Sequence, residues 1–511
     1  MSSRRRELIL FGCVAAVSFV LFFTRIGGGT LEKWDESLYG CAPRYMAHFG
    51  SWILPVDGEG KFWGWFGKPP LVAWVVAAST SIFGYTTFAM RAPFCLFSVG
   101  IVLVLYGFAR RAVSPATGCL VPVIMAASPL WLGFGRTASV EIPLIFFIVL
   151  SLYLYSSAEE RGLRRAALAG VALGAAILTK QIVASLALPA ILALEAPALL
   201  ARSFRPALRR LAVFGAAAIA TSGWWFAYAY AQVGCVLFEQ FYGFQVAWRL
   251  SQNDRDDGTA AFQGAGPATA GAVIALVGLW LLIQSGPGWA RRAGLAFSAY
   301  LAASWLVIGN VNAHNHEWYY LHSATAIVFG IAALLGLHLR ARDPAGWAAG
   351  LIAIGVILVD QVNRFLTATK TDHHLPVAID VAVIVLAARF AVGALTPVRW
   401  RPRLPALDLG ALAVCVAICI TPTFASRPRA DLELVAEALE AAPVEKIRIA
   451  PALRSDWSVF VSYLGPNLDF VETKGAPRVP GTVAYVSTKP NGLPGERKIG
   501  KYYLAVVAGG G

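Results

Sequence analysis

Long apolar stretches, separated by short polar segments, fill most of the chain. Each stretch is close to the roughly 20 residues that a helix needs to cross the hydrocarbon core of a bilayer. The pattern therefore predicts about thirteen membrane-spanning helices before residue 424. The predicted spans are 7–26, 88–109, 115–134, 139–157, 165–180, 182–200, 211–231, 268–285, 293–309, 320–338, 346–364, 376–394 and 406–423.

The apolar stretch 71–85 is shorter than these spans, and the basic residues decide its topology. Lys and Arg concentrate in the cytoplasmic loops of membrane proteins. The Arg/Lys clusters of this chain lie at 4–6, 110–111, 161–165, 202–210, 291–292, 340–342 and 399–403. These clusters share one side of the membrane only if 71–85 does not cross it. We therefore predict an interfacial or re-entrant helix there, within a first external loop of residues 27–87.

Residues 425–511 are more charged and only patchily apolar. Within them, residues 431–441 have the pattern of an amphipathic helix. Short runs bounded by turn residues predict strands at 446–450, 468–472, 482–487 and 502–507. The sequence thus predicts an all-α polytopic membrane bundle over residues 1–424, followed by a small soluble α/β domain on the external side.

The composition agrees with a membrane protein and argues against other classes. Hydrophobic residues make up 57% and charged residues 14%, whereas a soluble chain carries roughly 25% charged residues. The net charge of +14 comes from basic residues scattered among loops, so nucleic-acid binding is not expected. The cysteines show no CxxC spacing, and no Gly-rich phosphate loop is present, which argues against a zinc motif and against nucleotide hydrolysis.

Three acids are the first candidates for chemistry, because charged groups are costly near hydrocarbon and mark function at the mouths of spans. Asp35 and Glu36 follow the first span, and Glu141 opens the fourth. The Asp35–Glu36 pair would supply a general base that takes a proton from an acceptor hydroxyl or amine. Glu141 would be an orienting group or a metal ligand. The alternative is that these acids only favour the positive ends of helix dipoles.

Basic side chains at the same predicted face are candidates for binding an anion. Lys68 precedes two prolines, and Lys180 ends the fifth span. Arg136 lies shortly before Glu141, where it could neutralise that acid or bind an anion. Lysine meets a phosphate as a point charge, and arginine meets it as a bidentate fork. Lysines that only extend to the membrane surface are the alternative.

A polar and aromatic cluster precedes the predicted span 320–338. Its members are His314, His316, Tyr319, Tyr320 and His322. We interpret it as a phosphate or sugar pocket, with an interfacial aromatic belt as the alternative; the i, i+2 histidines match no helical metal motif. All of these candidates fall on or beside the external face, and this convergence is the main argument from the residues for an active site there.

A set of motifs lies in order along residues 5–340. The motifs are Asp35-Glu36 with Tyr39, Gly50-Ser51-Trp52-Ile53-Leu54-Pro55, Lys68-Pro69-Pro70-Leu71, Phe83-Gly84, Arg91-Ala92-Pro93, Thr137 to Phe147, Leu178-Thr179-Lys180 and His314 to Leu321. Each motif is weak alone, but the ordered set resembles the GT-C membrane glycosyltransferases. Within that group it is most similar to the branch of protein O-mannosyltransferases and the lipid A aminoarabinose transferase.

The resemblance implies an enzyme that moves a sugar from a polyprenyl-phosphate-linked donor to an acceptor on the external face, with inversion at the anomeric carbon. By position, Asp35 would be the catalytic acid/base, supported by Glu36 and Glu141. The implied location is a bacterial inner membrane, with the site facing the periplasm. The acceptor is left open among lipid A or lipopolysaccharide, another glycan and a protein.

For the donor phosphate, the resemblance implies Lys68, Lys180 and either Tyr320 or His314 as ligands. The aminoarabinose transferase has an acid before its Lys-Pro, where this chain has Gly67. This departure argues against assigning that sugar, or the same metal arrangement, to this chain. The chemistry needs no nucleotide or redox cofactor, and a divalent metal is left open.

Two other functions compete with the glycosyltransferase. A transporter or flippase of lipid-linked sugars would place charges at the membrane midplane and show inverted repeats with broken helices. Here the charged residues sort to one face, and the sequence shows no repeat. A noncatalytic membrane anchor that presents residues 425–511 to a partner would not need so many spans.

Overall fold

The computed structural model describes most of the N-terminal part of the chain and selected segments of the rest. The described residues are 3–32, 35–62, 68–126, 128–200, 204–248, 272, 274–285, 288–311, 317–341, 430–440, 446–450, 453, 457–464, 468–470, 482–490, 493 and 495–507. The predicted spans at 346–364, 376–394 and 406–423 lie outside these ranges.

Helices follow the apolar stretches of the sequence. They are α1 (Ser3–Phe23), α2 (Asp35–His48), α3 (Leu71–Phe83), α4 (Thr87–Ala112), α5 (Pro115–Ala126), α6 (Pro129–Phe134), α7 (Glu141–Ser156), α8 (Ala158–Arg161), α9 (Leu163–Lys180), α10 (Ala187–Leu200), α11 (Arg205–Val233), α12 (Val236–Phe238), α13 (Ile274–Gln284), α14 (Trp289–Val311) and α15 (Leu321–Ala341). Short 3-10 helices cover Gln181–Leu186 and Glu317–Tyr320, and a π-helix covers Glu239–Trp248.

Five segments of the described chain are long and apolar enough to cross a bilayer. They are Arg4–Phe23, Thr87–Ala112, Leu163–Leu200, Arg205–Val233 and Leu321–Arg340. The helices α3, α5, α7 and α13 are apolar but shorter. The membrane bundle is therefore present, while the total of thirteen spans stays a prediction.

Local sequence explains where several helices begin and end. Thr86 caps α4, because its hydroxyl accepts a hydrogen bond from the N–H of Ala89 at 3.1 Å. The predicted single span 115–134 is instead two helices, α5 and α6. Pro129 is the first residue of α6, and proline starts a helix readily but is unfavourable inside one.

The helices α9 and α11 run parallel. The helix α10, which lies between them in the sequence, brings the chain back in the opposite direction. A Cβ atom at Gly170 would overlap the carbonyl of Phe214, and one at Gly174 would overlap Thr221 at 2.5 Å. The order of these contacts is the same along both helices, so both point the same way. The missing side chains permit this close approach, and the break that follows Lys180 allows the reversal into α10.

The helices α7 and α9 pack antiparallel. The hydroxyl of Ser151 in α7 donates a hydrogen bond to the carbonyl of Ala169 in α9 at 2.8 Å. At the other end, Glu141 and Lys180 form an ion pair. The first residue of α7 therefore lies beside the last residue of α9, which brings an acid and a base together inside the bundle.

The C-terminal segments form a five-stranded sheet and two helices. The elements are β1 (Lys446–Ile449), β2 (Leu468–Phe470), β3 (Val483–Ser487), β4 (Arg497–Ile499), β5 (Tyr502–Val507), α16 (Asp431–Glu440) and α17 (Trp457–Leu464). The strand order is β2-β1-β3-β5-β4. β1 pairs parallel with β2 and β3, and β5 pairs antiparallel with β3 and β4.

The helix α17 packs directly on α2 and shares a hydrophobic core with it. The hydroxyls of Ser37 and Ser458 are 2.7 Å apart. The guanidinium of Arg44 donates to the carbonyl of Tyr463 at 2.6 Å, and the N–H of Leu31 donates to the Tyr463 hydroxyl at 3.1 Å. The described C-terminal segments therefore pack directly against α2 and the segment before it.

Gly40 lies where α2 packs closely against α17. A Cβ atom there would lie 2.7 Å from Ser462 Oγ, 2.8 Å from Met90 Sδ and 3.0 Å from Leu31 Cδ1. We expect Gly40→Val to destabilise the protein by about 1–3 kcal/mol through overpacking, and to expose the C-terminal segments to protease. Thermal unfolding and limited proteolysis of the purified protein in detergent would measure both effects.

The matched control is Gly215→Val in α11, because nothing lies within 4 Å of a Cβ atom at that glycine. Equal unfolding temperatures and equal cleavage for the two variants would contradict tight packing of α17 on α2.

Candidate active site

Helix ends that carry charged residues meet on the predicted external side of the bundle. α7 begins at Glu141, α9 ends at Lys180, and His322 is the second residue of α15. α2 begins nearby, because its Glu36 accepts a hydrogen bond from the N–H of Ala138, just before α7. The positive end of a helix dipole lies at the helix start, which accounts for the acids in the first turns of α2 and α7.

Glu36 lies in a buried ion pair with Arg91 of α4. Arg91 donates from Nε to Oε1 at 2.6 Å and from Nη2 to Oε2 at 2.7 Å, which is the bidentate geometry of strong guanidinium–carboxylate pairs. The N–H groups of Ala138 and Glu32 donate to the same two oxygens, at 3.0 Å and 2.8 Å. Only 4% of Glu36 is exposed. Both carboxylate oxygens are therefore fully engaged.

The same arginine organises the segment that leads from α1 into α2. Arg91 donates to the carbonyls of Ile26, Gly28 and Thr30 at 3.1, 2.8 and 3.3 Å. Burial raises the pKa of Glu36, but the charge and hydrogen bonds of Arg91, helped by two backbone N–H groups, lower that pKa overall. A carboxylate held in this way takes up a proton poorly and is suited to fixing the start of α2.

Lys68 lies against α2, one helical turn after Asp35. Its ammonium group donates a hydrogen bond to the hydroxyl of Tyr39 at 2.6 Å and lies 5.1 Å from the centre of the same ring. Residues four apart share one face of a helix, so position 35 lies on the face of α2 that holds Lys68. The side chain of Asp35 itself is outside the described part of the structure.

Glu141 is the centre of a second buried cluster. One of its oxygens pairs with the ammonium of Lys180, and the other lies 2.9 Å from Nε2 of His322. The Nδ1 atom of His322 lies 2.8 Å from the hydroxyl of Tyr300 in α14. Glu141, His322 and Tyr300 are each 0% exposed. Four helices thus contribute one side chain each to a continuous polar chain.

The aromatic cluster before α15 contributes to this site in part. Tyr319 is buried, and the ammonium of Lys180 lies 4.5 Å from the centre of its ring. The hydroxyl of Tyr320 is buried and has no hydrogen-bond partner among the described residues. His314 and His316 lie outside the described ranges, so their part in the site stays a prediction.

Arg136 is placed apart from the Glu141 cluster. Its guanidinium donates to the carbonyl of Thr24, just beyond the end of α1. The turn that carries Arg136 continues to Ala138, whose N–H holds Glu36. Arg136 therefore ties this turn to α1 in the structure, and its role as an anion ligand stays a prediction.

No group of three or more His, Cys, Asp or Glu side chains able to hold a metal occurs within the described ranges. The two acids of the site whose side chains the structure describes have cationic and hydrogen-bond-donating partners. Glu36 faces Arg91, and Glu141 faces Lys180 and His322.

The sequence analysis assigned no individual role to three partners of these acids. Arg91 belongs to the Arg91-Ala92-Pro93 motif but carried no assigned role, and His322 was noted only as a member of the polar cluster. Tyr300 lies in an apolar stretch that gives no signal. An arginine within the first ten residues of a predicted span is a usable sign for Arg91, because such a charge needs a partner.

Comparison with known sequences supports the resemblance. Residues 67–225 match the family model described as dolichyl-phosphate-mannose-protein mannosyltransferase. An uncharacterised protein of Aquifex aeolicus is 33% identical over 221 residues, which is 41% of this chain and 42% of that protein. The lipid A galacturonosyltransferase RgtD of Rhizobium johnstonii is 29% identical over 152 residues, covering 26% of this chain and 30% of RgtD. Each of these matches spans less than half of the relative's length.

Comparison with solved structures covers nearly the whole chain. The crystal structure of ArnT from Cupriavidus metallidurans bound to undecaprenyl phosphate matches with a TM-score of 0.64 and 16% sequence identity, over 98% of this chain and 97% of ArnT. The apo structure of the same protein matches equally well, with a TM-score of 0.64. The prediction of a helical membrane bundle with this fold is confirmed.

Proposed function

We propose that this chain, an integral membrane protein with the sequence motifs and the fold of the GT-C glycosyltransferases, transfers a sugar from a polyprenyl-phosphate-linked donor to an acceptor on the external face. The proposed setting is a bacterial inner membrane, with the site on the periplasmic side. The acceptor class includes lipid A or lipopolysaccharide, other glycans and proteins.

One observation supports this proposal most directly. Lys68 contacts α2 one helical turn after its first residue, Asp35, and Lys180 pairs with Glu141, the first residue of α7. Ammonium groups suit a phosphate, because they attract its negative charge and donate hydrogen bonds to its oxygens. A carboxylate at the same place can receive a proton. The leaving group and the attacking group of a sugar transfer need these two chemistries.

The proposed reaction is a single displacement at the anomeric carbon. The acceptor oxygen or nitrogen forms the new bond to that carbon, while its proton passes to the carboxylate of Asp35. The bond from the anomeric carbon to the phosphate oxygen breaks on the opposite face, and its electron pair stays on the phosphate. Lys68 and Lys180 stabilise the charge that develops there. The configuration of the sugar is therefore inverted.

Glu36 and Glu141 take positioning roles in this proposal. Glu36 is held by Arg91 and fixes the first turn of α2, which carries Asp35. Glu141 holds Lys180 at the site until the phosphate arrives. Tyr319, whose ring lies against Lys180, is proposed to contribute to the donor site together with Tyr320 and His314.

The test is a transfer assay with the full chain in proteoliposomes. Polyprenyl-phosphate sugars carrying a labelled sugar are supplied with candidate acceptors extracted from bacterial envelopes. We expect a labelled product and the release of one polyprenyl phosphate for each sugar transferred. Movement of the donor between leaflets without any product would instead support the transporter or flippase.

The variant Lys68→Met is expected to raise the KM for the donor about 10- to 100-fold. That range corresponds to the loss of one charge-assisted hydrogen bond to the phosphate. The matched control is Lys61→Met in the same external loop, because Lys61 pairs with Glu59 on the exposed surface. Equal KM values for the two variants would remove Lys68 from the donor site.

A further inference from the structure

We propose that His322 is a positioning residue of the donor site, which holds Glu141 in place so that Lys180 is presented to the phosphate. Tyr300 acts in the same chain by orienting His322. This inference rests on the proposed function, since it assigns residues to the site that would receive the lipid phosphate.

Each polar atom in the hydrogen-bonded series from Lys180 to Tyr300 has a partner. Glu141 uses one oxygen for Lys180 and the other for Nε2 of His322, at 2.9 Å. His322 uses its second nitrogen, Nδ1, for the hydroxyl of Tyr300, at 2.8 Å. The imidazole is completely buried, so water cannot replace either hydrogen bond. Loss of any member leaves a buried polar atom unsatisfied.

The direction of the hydrogen bonds follows from which groups can donate. A carboxylate only accepts, so Nε2 of His322 carries the proton and donates to Glu141. In a neutral imidazole Nδ1 then accepts, and the Tyr300 hydroxyl donates to it. Tyr300 thus selects the tautomer of His322 that can hold Glu141. The order of donation runs from α14 to α15 and then to α7.

The hydrogen bond from His322 matters when the donor phosphate binds Lys180. To bind a phosphate, the ammonium of Lys180 must divide its hydrogen bonds between the phosphate and Glu141. A carboxylate held only by Lys180 would then be free to follow the lysine or to rotate away. Because His322 holds the second oxygen, Glu141 keeps its place, and Lys180 remains aimed at the site. Positioning of this kind is needed where a misplacement of about 1 Å weakens catalysis strongly.

Other charged or titratable groups near this chain do not substitute for His322. Besides His322 and Tyr300, the groups near Glu141 include Lys180 of α9 and, against that lysine, the ring of Tyr319 in the turn before α15. Lys180 already occupies the first oxygen of Glu141. The ring of Tyr319 lies against the ammonium of Lys180, 4.5 Å from its centre. The second oxygen of Glu141 has His322 as its partner among the described residues.

The experiment measures binding of polyprenyl phosphate to the purified full chain, together with kcat/KM for the sugar donor. We expect His322→Leu to lower the affinity for polyprenyl phosphate and the kcat/KM for the donor, each about 10- to 100-fold. This is the loss that follows when a hydrogen bond to a charged group is removed. His322→Gln should recover much of the loss, because its amide can still donate to Glu141. Tyr300→Phe should weaken both measurements less than His322→Leu.

A double-mutant cycle separates positioning from general damage. In a Lys180→Met background, His322→Leu should have little further effect on polyprenyl-phosphate binding by the molecules that remain folded, because the lysine that His322 serves is already gone. If the fold-losses of Lys180→Met and His322→Leu multiply in the double variant, the two residues act independently and the proposal is overturned. The matched control is Thr325→Val, a buried position on α15. Among the described residues the hydroxyl of Thr325 bonds only the carbonyl of Leu321 in its own helix, at 2.6 Å, so we expect both measurements to stay within about twofold of the wild type.

The outcomes distinguish this inference from the proposed function. If the wild-type chain neither binds polyprenyl phosphate nor transfers sugar, the proposed function fails. If the wild type does both and His322→Leu matches Thr325→Val, only the role of His322 fails. If His322→Leu does not fold, His322→Gln and Tyr300→Phe decide the matter through the same cycle with Lys180→Met.

Discussion

The variant Asp35→Asn is expected to lower the rate of sugar transfer about 10²- to 10⁴-fold, the contribution that a general base makes to catalysis. Asparagine matches aspartate in size and also favours the start of a helix, so α2 should form normally. It cannot accept the proton of the acceptor, however. Donor binding should stay near the wild-type value, because the phosphate is assigned to lysines on other segments.

A single-turnover assay with bound donor measures this effect without interference from product release. The control is Asp57→Asn in the same external loop, where Asp57 accepts hydrogen bonds from the N–H groups of Glu59 and Lys61 in an exposed turn. If Asp35→Asn transfers sugar within about twofold of this control, position 35 does not carry the base, and the proposed mechanism loses its proton acceptor.

The membrane helices could be predicted closely from hydropathy alone. The predicted span 88–109 corresponds to α4 at Thr87–Ala112, and 165–180 corresponds to α9 at Leu163–Lys180. The apolar requirement of a bilayer is strong and local, so a single chain reveals it. The division of 115–134 into α5 and α6 was missed, because a short interruption before Pro129 changes the mean hydropathy very little.

The partners within the site were much harder to predict. Hydropathy and topology placed Glu36, Glu141 and Lys180 at one face of the membrane, but they assigned the two acids to catalysis without naming what each contacts. Arg91 follows Glu36 by 55 positions and His322 follows Glu141 by 181. Contacts at such separations depend on which helices pack together, and local patterns do not contain that information.

The contacts of the two buried acids give each a different energetic role. Glu36 is held by an arginine and by backbone N–H groups, so it contributes chiefly to the position of α2. Glu141 is held by a lysine and a histidine, and a lysine can move toward a phosphate more easily than a bidentate arginine can leave its carboxylate. The first acid is therefore expected to govern stability, and the second is expected to govern donor binding.

Arg91→Met is expected to lower the free energy of unfolding by about 3–5 kcal/mol, the usual result of leaving one charge of a buried pair without its partner. The carbonyls of Ile26, Gly28 and Thr30 lose their donor at the same time. Glu36→Gln should cost less, because the amide keeps one acceptor oxygen for Arg91. Denaturant or thermal unfolding in detergent measures each change.

The double variant Glu36→Gln/Arg91→Met should be less destabilised than the sum of the single variants, because the unpaired charge disappears when both partners are replaced. The control is Arg210→Met, which breaks the buried pair with Glu195 at the opposite end of the bundle, where the two groups lie 2.6 Å apart. That variant should lose stability without changing the donor KM of the molecules that remain folded. Additive losses in the double variant would contradict a role for the Glu36–Arg91 pair in fixing α2.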